Sequence, residues 1–227
     1  MNKKIKIELA TGIITLIAII VSGLIWLGNH KPQTGWQYVA SFVGMDRPVE
    51  DAASRIVFLG DSITALENWN TLLGSADIQN AGVSGNTTDD VLARLSVAIS
   101  AKPQKLFLMM GINDFLRGQS VDYVAANYEL VINRIKSESP ATLIYIQSTL
   151  PINSASSHYG KVDSQKIITL NERLKVLAAE KKVFFINLYP SFCGPDNQLY
   201  AKYAADGLHL NSHGYAVWKE LITPYLQ

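Results

Sequence analysis

A three-layer α/β/α sandwich on a five-stranded parallel sheet, flavodoxin-like in its winding, is predicted for most of this 227-residue chain by three features. Short runs rich in β-branched and aromatic residues recur after residue 54, longer stretches with apolar residues at i, i+3 and i+4 separate them, and the runs end in glycine or small polar residues. Parallel strands joined by crossover helices require that alternation, because such strands are buried on both faces and each connection must cross one of them.

The strand runs are 55–60, 78–81, 105–110, 143–148 and 183–187. Between them, 89–100, 121–137 and 164–181 carry the helical spacing, and 212–225 closes the chain as a last helix. Lys102-Pro103 and Ser139-Pro140 mark helix ends, since the residue before proline is pushed out of the α region. In the loop after the second run, Thr87 or Thr88 is placed to cap the helix that follows.

Ahead of this domain (55–227) the chain divides into an amino-terminal end (1–28) and a tether with a lead-in helix (29–54). Lys3, Lys4 and Lys6 precede an uncharged run from Leu9 to Leu27. At 1.5 Å per residue that run is about 28 Å long, the thickness of a bilayer's hydrocarbon core. A transmembrane signal-anchor is the expectation, because Trp26 and Leu27 crowd the only cleavage position, at Gly28. The lysines keep their side cytoplasmic and put the domain outside it. The alternative, a cleaved signal leaving a secreted or periplasmic domain, puts it on the same side. Trp36, Val39, Ala40 and Val43 recur at helical spacing after the polar tether.

Composition excludes several classes of function. A net charge of +1, with no basic stripe, gives nucleic acid no footprint. One cysteine, Cys193, allows no internal disulfide and no thiolate metal cluster, and is expected as a small buried hydrophobe. There is no His-Glu-x-x-His pair or carboxylate-rich calcium loop, and Gly82 and Gly85 are too sparse to cradle phosphate, so neither metal nor cofactor is expected.

In doubly wound sheets the chemistry gathers beyond the carboxyl ends of the strands. There the first run delivers Gly60-Asp61-Ser62, a hydroxyl at a strand end, with Asp61 expected to hold the turn. After the second, Gly85 can bring a backbone N–H close to a substrate. The third ends in Gly111-Ile112-Asn113-Asp114, where Asn113 offers an amide donor, with Ile112 and Asp114 as candidate substrate contacts. Leu66, Trp69 and Phe115 are expected in the core. Before the last helix lies Asp206-Gly207-Leu208-His209. A serine hydroxyl needs a base, an imidazole titrates in the useful range, and a carboxylate three residues away can fix its tautomer. His213 is the rival base, but it falls at the helix start, where a solvent-facing or capping role fits it better. His158 lies in a polar loop with no carboxylate to orient it.

These blocks, in this order, resemble those of the SGNH hydrolases, a branch of the GDSL esterases and lipases, and the resemblance covers nearly all of 55–227. It implies Ser62 as nucleophile, His209 as base and then acid, Asp206 as its partner, and an oxyanion hole from the N–H groups of Ser62 and Gly85 with the Asn113 amide. Gln147 to Pro151 and the loop 152–160 are similar to the branch containing bacterial carbohydrate O-acetylesterases and platelet-activating-factor acetylhydrolases. That loop is expected to wall the site, and Asn153, Ser154, Ser156 and Ser157 favour a short-chain ester on a glycan. The alternatives are a lysophospholipase or acyl thioesterase of the same family, or an inactive glycan-binding module.

Overall fold

The computed structural model describes residues 56–158, 161–204 and 206–227. The signal-anchor, tether and lead-in helix expected over 1–54 lie outside the described residues. Among the described residues no helix is long and apolar enough to cross a membrane.

Five parallel strands form one sheet: β1 (Ile56–Gly60), β2 (Ile78–Gly82), β3 (Lys105–Met109), β4 (Leu143–Gln147) and β5 (Phe184–Ile186), in the order β2-β1-β3-β4-β5. Each strand ends within one residue of its predicted run. The chain steps from β1 to one neighbour and then crosses back to the other, so the winding reverses at β1. A crevice opens beyond the carboxyl ends of the strands at such a reversal.

The helices are α1 (Ser62–Ala65), α2 (Trp69–Leu73), α3 (Thr88–Ala98), α4 (Ile112–Leu116), α5 (Val121–Glu138), α6 (Ser164–Lys181), α7 (Tyr189–Phe192) and α8 (Ser212–Ile222), followed by a 3-10 turn at Thr223–Tyr225. Polar side chains start the long ones. Thr87 caps α3 in a reciprocal box with Asp90, and Ser120, Asp163 and Asn211 cap α5, α6 and α8. The last helix stops short of the predicted 225 because Pro224 has no N–H to continue the ladder. The four helices of four or five residues, α1, α2, α4 and α7, went unpredicted, since one turn is too short to display a period.

One face of the sheet carries a row of rings in register. Phe58, Phe107, Tyr145 and Phe184 pair across β1, β3, β4 and β5, and neighbouring rings stack at 4.7 to 4.8 Å. Trp69 of α2 stacks on Phe58 at 4.0 Å, and Trp218 of α8 meets Trp69 edge-on at 5.0 Å. Such pairs contribute about 0.5–1.5 kcal/mol each beyond the area they bury. Val57, Leu59, Leu106, Leu108, Ile144 and Ile146, fully or almost fully buried, alternate with that row and point to the opposite face. Both faces of β1 are therefore covered, and Ser62 follows two residues after that buried strand.

Candidate active site

The turn after β1 presents Ser62 as the first residue of α1. Asp61 is the N-cap, its Oδ1 accepting the Ile63 N–H at 3.0 Å. A four-residue helix leaves carbonyls without partners inside it. Here distant side chains supply them: the Tyr215 hydroxyl donates to Ile63 O at 2.7 Å and the Trp69 indole to Thr64 O at 2.9 Å. Asp61 is 1% exposed. Burial pushes its carboxyl up to about 7, against the Ile63 N–H and the charge of Arg94, and the nearby Asp114 adds to the rise.

The second turn brings the imidazole to that hydroxyl. His209 Nε2 lies 2.9 Å from Ser62 Oγ, and His209 Nδ1 lies 2.7 Å from Asp206 Oδ2. The other Asp206 oxygen accepts the backbone N–H groups of Leu208 and His209 at 3.0 and 2.8 Å. Burial alone would raise the Asp206 carboxyl, but the bonds from the His209 ring and from these two N–H groups outweigh it and hold the carboxyl at about 2. An ionised carboxylate can only accept, so Nδ1 carries the proton and the lone pair of Nε2 faces the serine hydroxyl. The arrangement can take the Oγ proton as the oxygen attacks and stabilise the resulting imidazolium.

The loop 152–158 backs this second turn. The Asn153 N–H donates to Gly207 O at 2.8 Å, and a Cβ at Gly207, whose φ is +78°, would come within 2.7 Å of Ser157 N and 2.8 Å of Asn153 O. Many of its polar groups bond within the protein, Asn153 Oδ1 accepting from Ala155 and Ser156, Ser154 Oγ donating to Val162 O and the Ser154 N–H to Gln198 Oε1. The segment expected to wall the site is thus also the brace of the Asp206–His209 turn.

The third group of residues lies across the crevice, on the β2–α3 and β3–α4 connections. Gly85 has φ +77° with open space where a Cβ would stand, so its backbone conformation, not crowding, calls for glycine. Among the described residues no acceptor takes the N–H of Ser62 or of Gly85. Asn113 donates one amide hydrogen to Asn86 O at 2.9 Å, which fixes the amide plane and leaves its second hydrogen for a substrate oxygen.

Two expected substrate contacts are corrected. Ile112, 1% exposed, packs in the core, and Asp114 is fully buried. The Asp114 carboxylate accepts the Thr88 N–H and, at 2.6 Å, the Thr88 hydroxyl, which itself accepts from Asn127. Asp114 therefore ties α4 to the start of α3, and burial raises its pKa despite these bonds. Trp69 and Phe115 are core residues as expected, whereas Leu66, one turn after Ser62, is 59% exposed. Cys193 is half-buried rather than buried. His213 and His158 face solvent.

Sequence reasoning missed Arg94, which donates to Gly60 O, Ala81 O and Asn86 Oδ1. Its one signal was position: it falls three residues after buried Val91, on the inward stripe of α3. Among the described residues no group of three or more His, Cys, Asp or Glu side chains is placed to hold a metal ion.

Known proteins are similar to this chain in sequence and in fold. Residues 58–217 match the GDSL-like Lipase/Acylhydrolase family. A Streptococcus pneumoniae structure described as that of a platelet activating factor superposes with a TM-score of 0.74 at 28% identity, over 92% of this chain and 99% of its own. The human platelet-activating factor acetylhydrolase IB subunit alpha2 is 27% identical over 174 residues, 74% of this chain and 73% of that protein. An arylesterase of Vibrio mimicus is 30% identical over 125 residues, 48% of this chain and 60% of its own length. By descent as well as by architecture, then, this chain belongs to the GDSL-like lipase/acylhydrolase family and is an esterase.

Proposed function

We propose that the chain hydrolyses short-chain carboxylic esters through Ser62, His209 and Asp206, and that its substrate is an O-acetyl ester on carbohydrate. The observation that carries this reading is the unbroken relay from Asp206 through the His209 ring to Ser62 Oγ, with contacts of 2.7 and 2.9 Å. Ser62 Oγ attacks the carbonyl carbon while its proton passes to His209 Nε2. The C–O bond to the alcohol then breaks, the alcohol leaves with that proton, and the acyl group stays on Ser62. Water attacks the acyl-enzyme with His209 as base, the acid departs, and Ser62 recovers its proton. The oxyanion of each tetrahedral intermediate is met by the N–H groups of Ser62 and Gly85 and by the Asn113 amide, donors that need not reorganise as charge develops.

An acetyl-sized acyl group fits the acetylhydrolase activity in the names of the platelet-activating factor relatives, and the exposed Ser156 in the segment beside the Asp206–Gly207 turn supports a hydrophilic alcohol. One observation favours a second reading, a lysophospholipid or a related lipid ester: the exposed Leu66 offers an apolar contact one turn from Ser62. A p-nitrophenyl ester series, followed by acetylated sugars and lysolipids with Ser62→Ala as control, separates the two. A maximum at acetate with release of acetate from sugars supports the first reading; a maximum at octanoate or longer supports the second. No hydrolysis of any activated ester, with ligand binding unchanged in Ser62→Ala, would turn the reading toward a glycan-binding module.

We also propose that the run from Leu9 to Leu27 anchors the domain on the outer side of the cytoplasmic membrane, a reading supported by its length and by the three lysines ahead of it. In cells, the full chain should fractionate with membranes and its domain should be cleaved by protease added outside the cytoplasmic membrane. Recovery of uncleaved full chain in the cytosol would contradict this.

A further inference from the structure

Arg94 has no part in the steps above, yet it touches three of their supports. Half-buried on α3, it donates from Nε to Asn86 Oδ1 at 2.6 Å, from Nη1 to Ala81 O at 2.8 Å and from Nη2 to Gly60 O at 2.9 Å. Gly60 lies two residues before Ser62. Asn86 follows Gly85, and its carbonyl is the acceptor that fixes the Asn113 amide at 2.9 Å. Burial pulls the guanidinium down to about 10, against the charges of Asp90 and Asp61, which leaves it a cation at neutral pH.

We propose that Arg94 is a positioning residue for acyl transfer: its guanidinium ties the end of the nucleophile strand to the Gly85–Asn86 loop and, through the Asn86 peptide, to Asn113. The three donors aimed at the oxyanion are thereby held as one unit. The proposal rests on the reading of Ser62, Gly85 and Asn113 given above. Three acceptors on two strands and a loop call for a rigid planar fork with five donors, which a lysine ammonium cannot imitate. Small displacements of such donors are costly, since about 1 Å of misplacement can lower a rate by about a hundredfold.

The test is steady-state hydrolysis of p-nitrophenyl acetate by the full chain, with active sites counted by titration with a serine-directed organophosphonate. Arg94→Lys is expected to lower kcat per titrated site by about a hundredfold while KM stays within about threefold. Asn86→Ala keeps both carbonyl anchors of Arg94, so the protein stays folded, and is expected to cost about tenfold. Adding Arg94→Lys to Asn113→Ala should cost far less than the product of the two single losses, because both act on one oxyanion. A role in stability alone would lower Tm and leave kcat per titrated site unchanged. If Arg94→Lys and Asn86→Ala both keep wild-type kcat per titrated site while Ser62→Ala is inactive, the Arg94 proposal is overturned and the reading of the site stands. If Ser62→Ala itself keeps activity, that reading fails and takes the proposal with it.

Discussion

The two halves of this site are built in opposite ways. The nucleophile half is assembled from distant chain: Ser62 opens α1 two residues beyond β1, its turn is held by Trp69 and Tyr215, and the facing donors come from the β2–α3 and β3–α4 connections. The acid–base half is local. Asp206 and His209 bond within four residues of chain, and the turn leans on the loop 152–158. Their carboxylates diverge accordingly, with Asp61 buried and pushed up to about 7 while Asp206, amid hydrogen-bond donors, is held at about 2. The sheet half can place an oxygen rigidly, and the local half can keep a charge and orient a ring.

Substitutions on each side sharpen that contrast. The largest effect is expected in the local half. Asp206→Asn, which preserves shape and removes the charge that fixes the tautomer, should lower kcat by about 10⁴-fold with little change in folding. Asn113→Ala, in the assembled half, should lower kcat by about 10²- to 10³-fold at nearly constant stability, and an unchanged rate would remove Asn113 from the mechanism.

A pair of glycine substitutions comes next. Gly207→Ala meets backbone atoms at 2.7 and 2.8 Å, so the brace or the turn must move, and both Tm and kcat should fall. Gly85→Ala meets nothing within 4 Å and should cost only its left-handed backbone, about 1–2 kcal/mol by denaturant titration. Equal effects of the two on stability would contradict the view that the loop 152–158 holds the acid–base turn.

The smallest effects are in the pH dependence of stability, and they should have opposite signs. A carboxyl raised from 3.8 to about 7 binds more protons folded than unfolded in that window, so the contribution of Asp61 is full below about pH 4 and is lost as pH rises toward 7. Asp206, lowered to about 2, contributes above pH 4 and loses that contribution as pH falls toward 2. Urea midpoints should show Asp61→Asn flattening the curve between pH 4 and 7 and Asp206→Asn flattening it below 4. The same flattening window for both variants would erase the contrast.

The same division explains what could be read from the sequence. The strands were legible because each is a dense apolar run, and Asp206 with His209 because their partnership is encoded within one turn. Ser62, Gly85 and Asn113 were legible as loop residues at strand ends, a consequence of the parallel winding. Residues whose work is done across the fold were not. Trp69 looks like any core aromatic, and only the fold shows its indole holding Thr64 O. Asp114 sits beside Asn113 and so resembled a substrate contact, but a one-turn helix points the two side chains apart, toward Thr88 and toward the crevice. Leu66 misled in the other direction, because an apolar residue near a strand end is normally covered, and α1 is too short to carry it inward.

In the proposed reaction Ser62 Oγ, activated by His209, is the atom that takes the acyl group. Peptide mapping by mass spectrometry after treatment with a fluorophosphonate tests it directly. One phosphonyl group per chain is expected, on Ser62, with labelling slowed by orders of magnitude in His209→Ala. A label on another residue that accompanies loss of activity, or full inactivation with Ser62 unmodified, would contradict it.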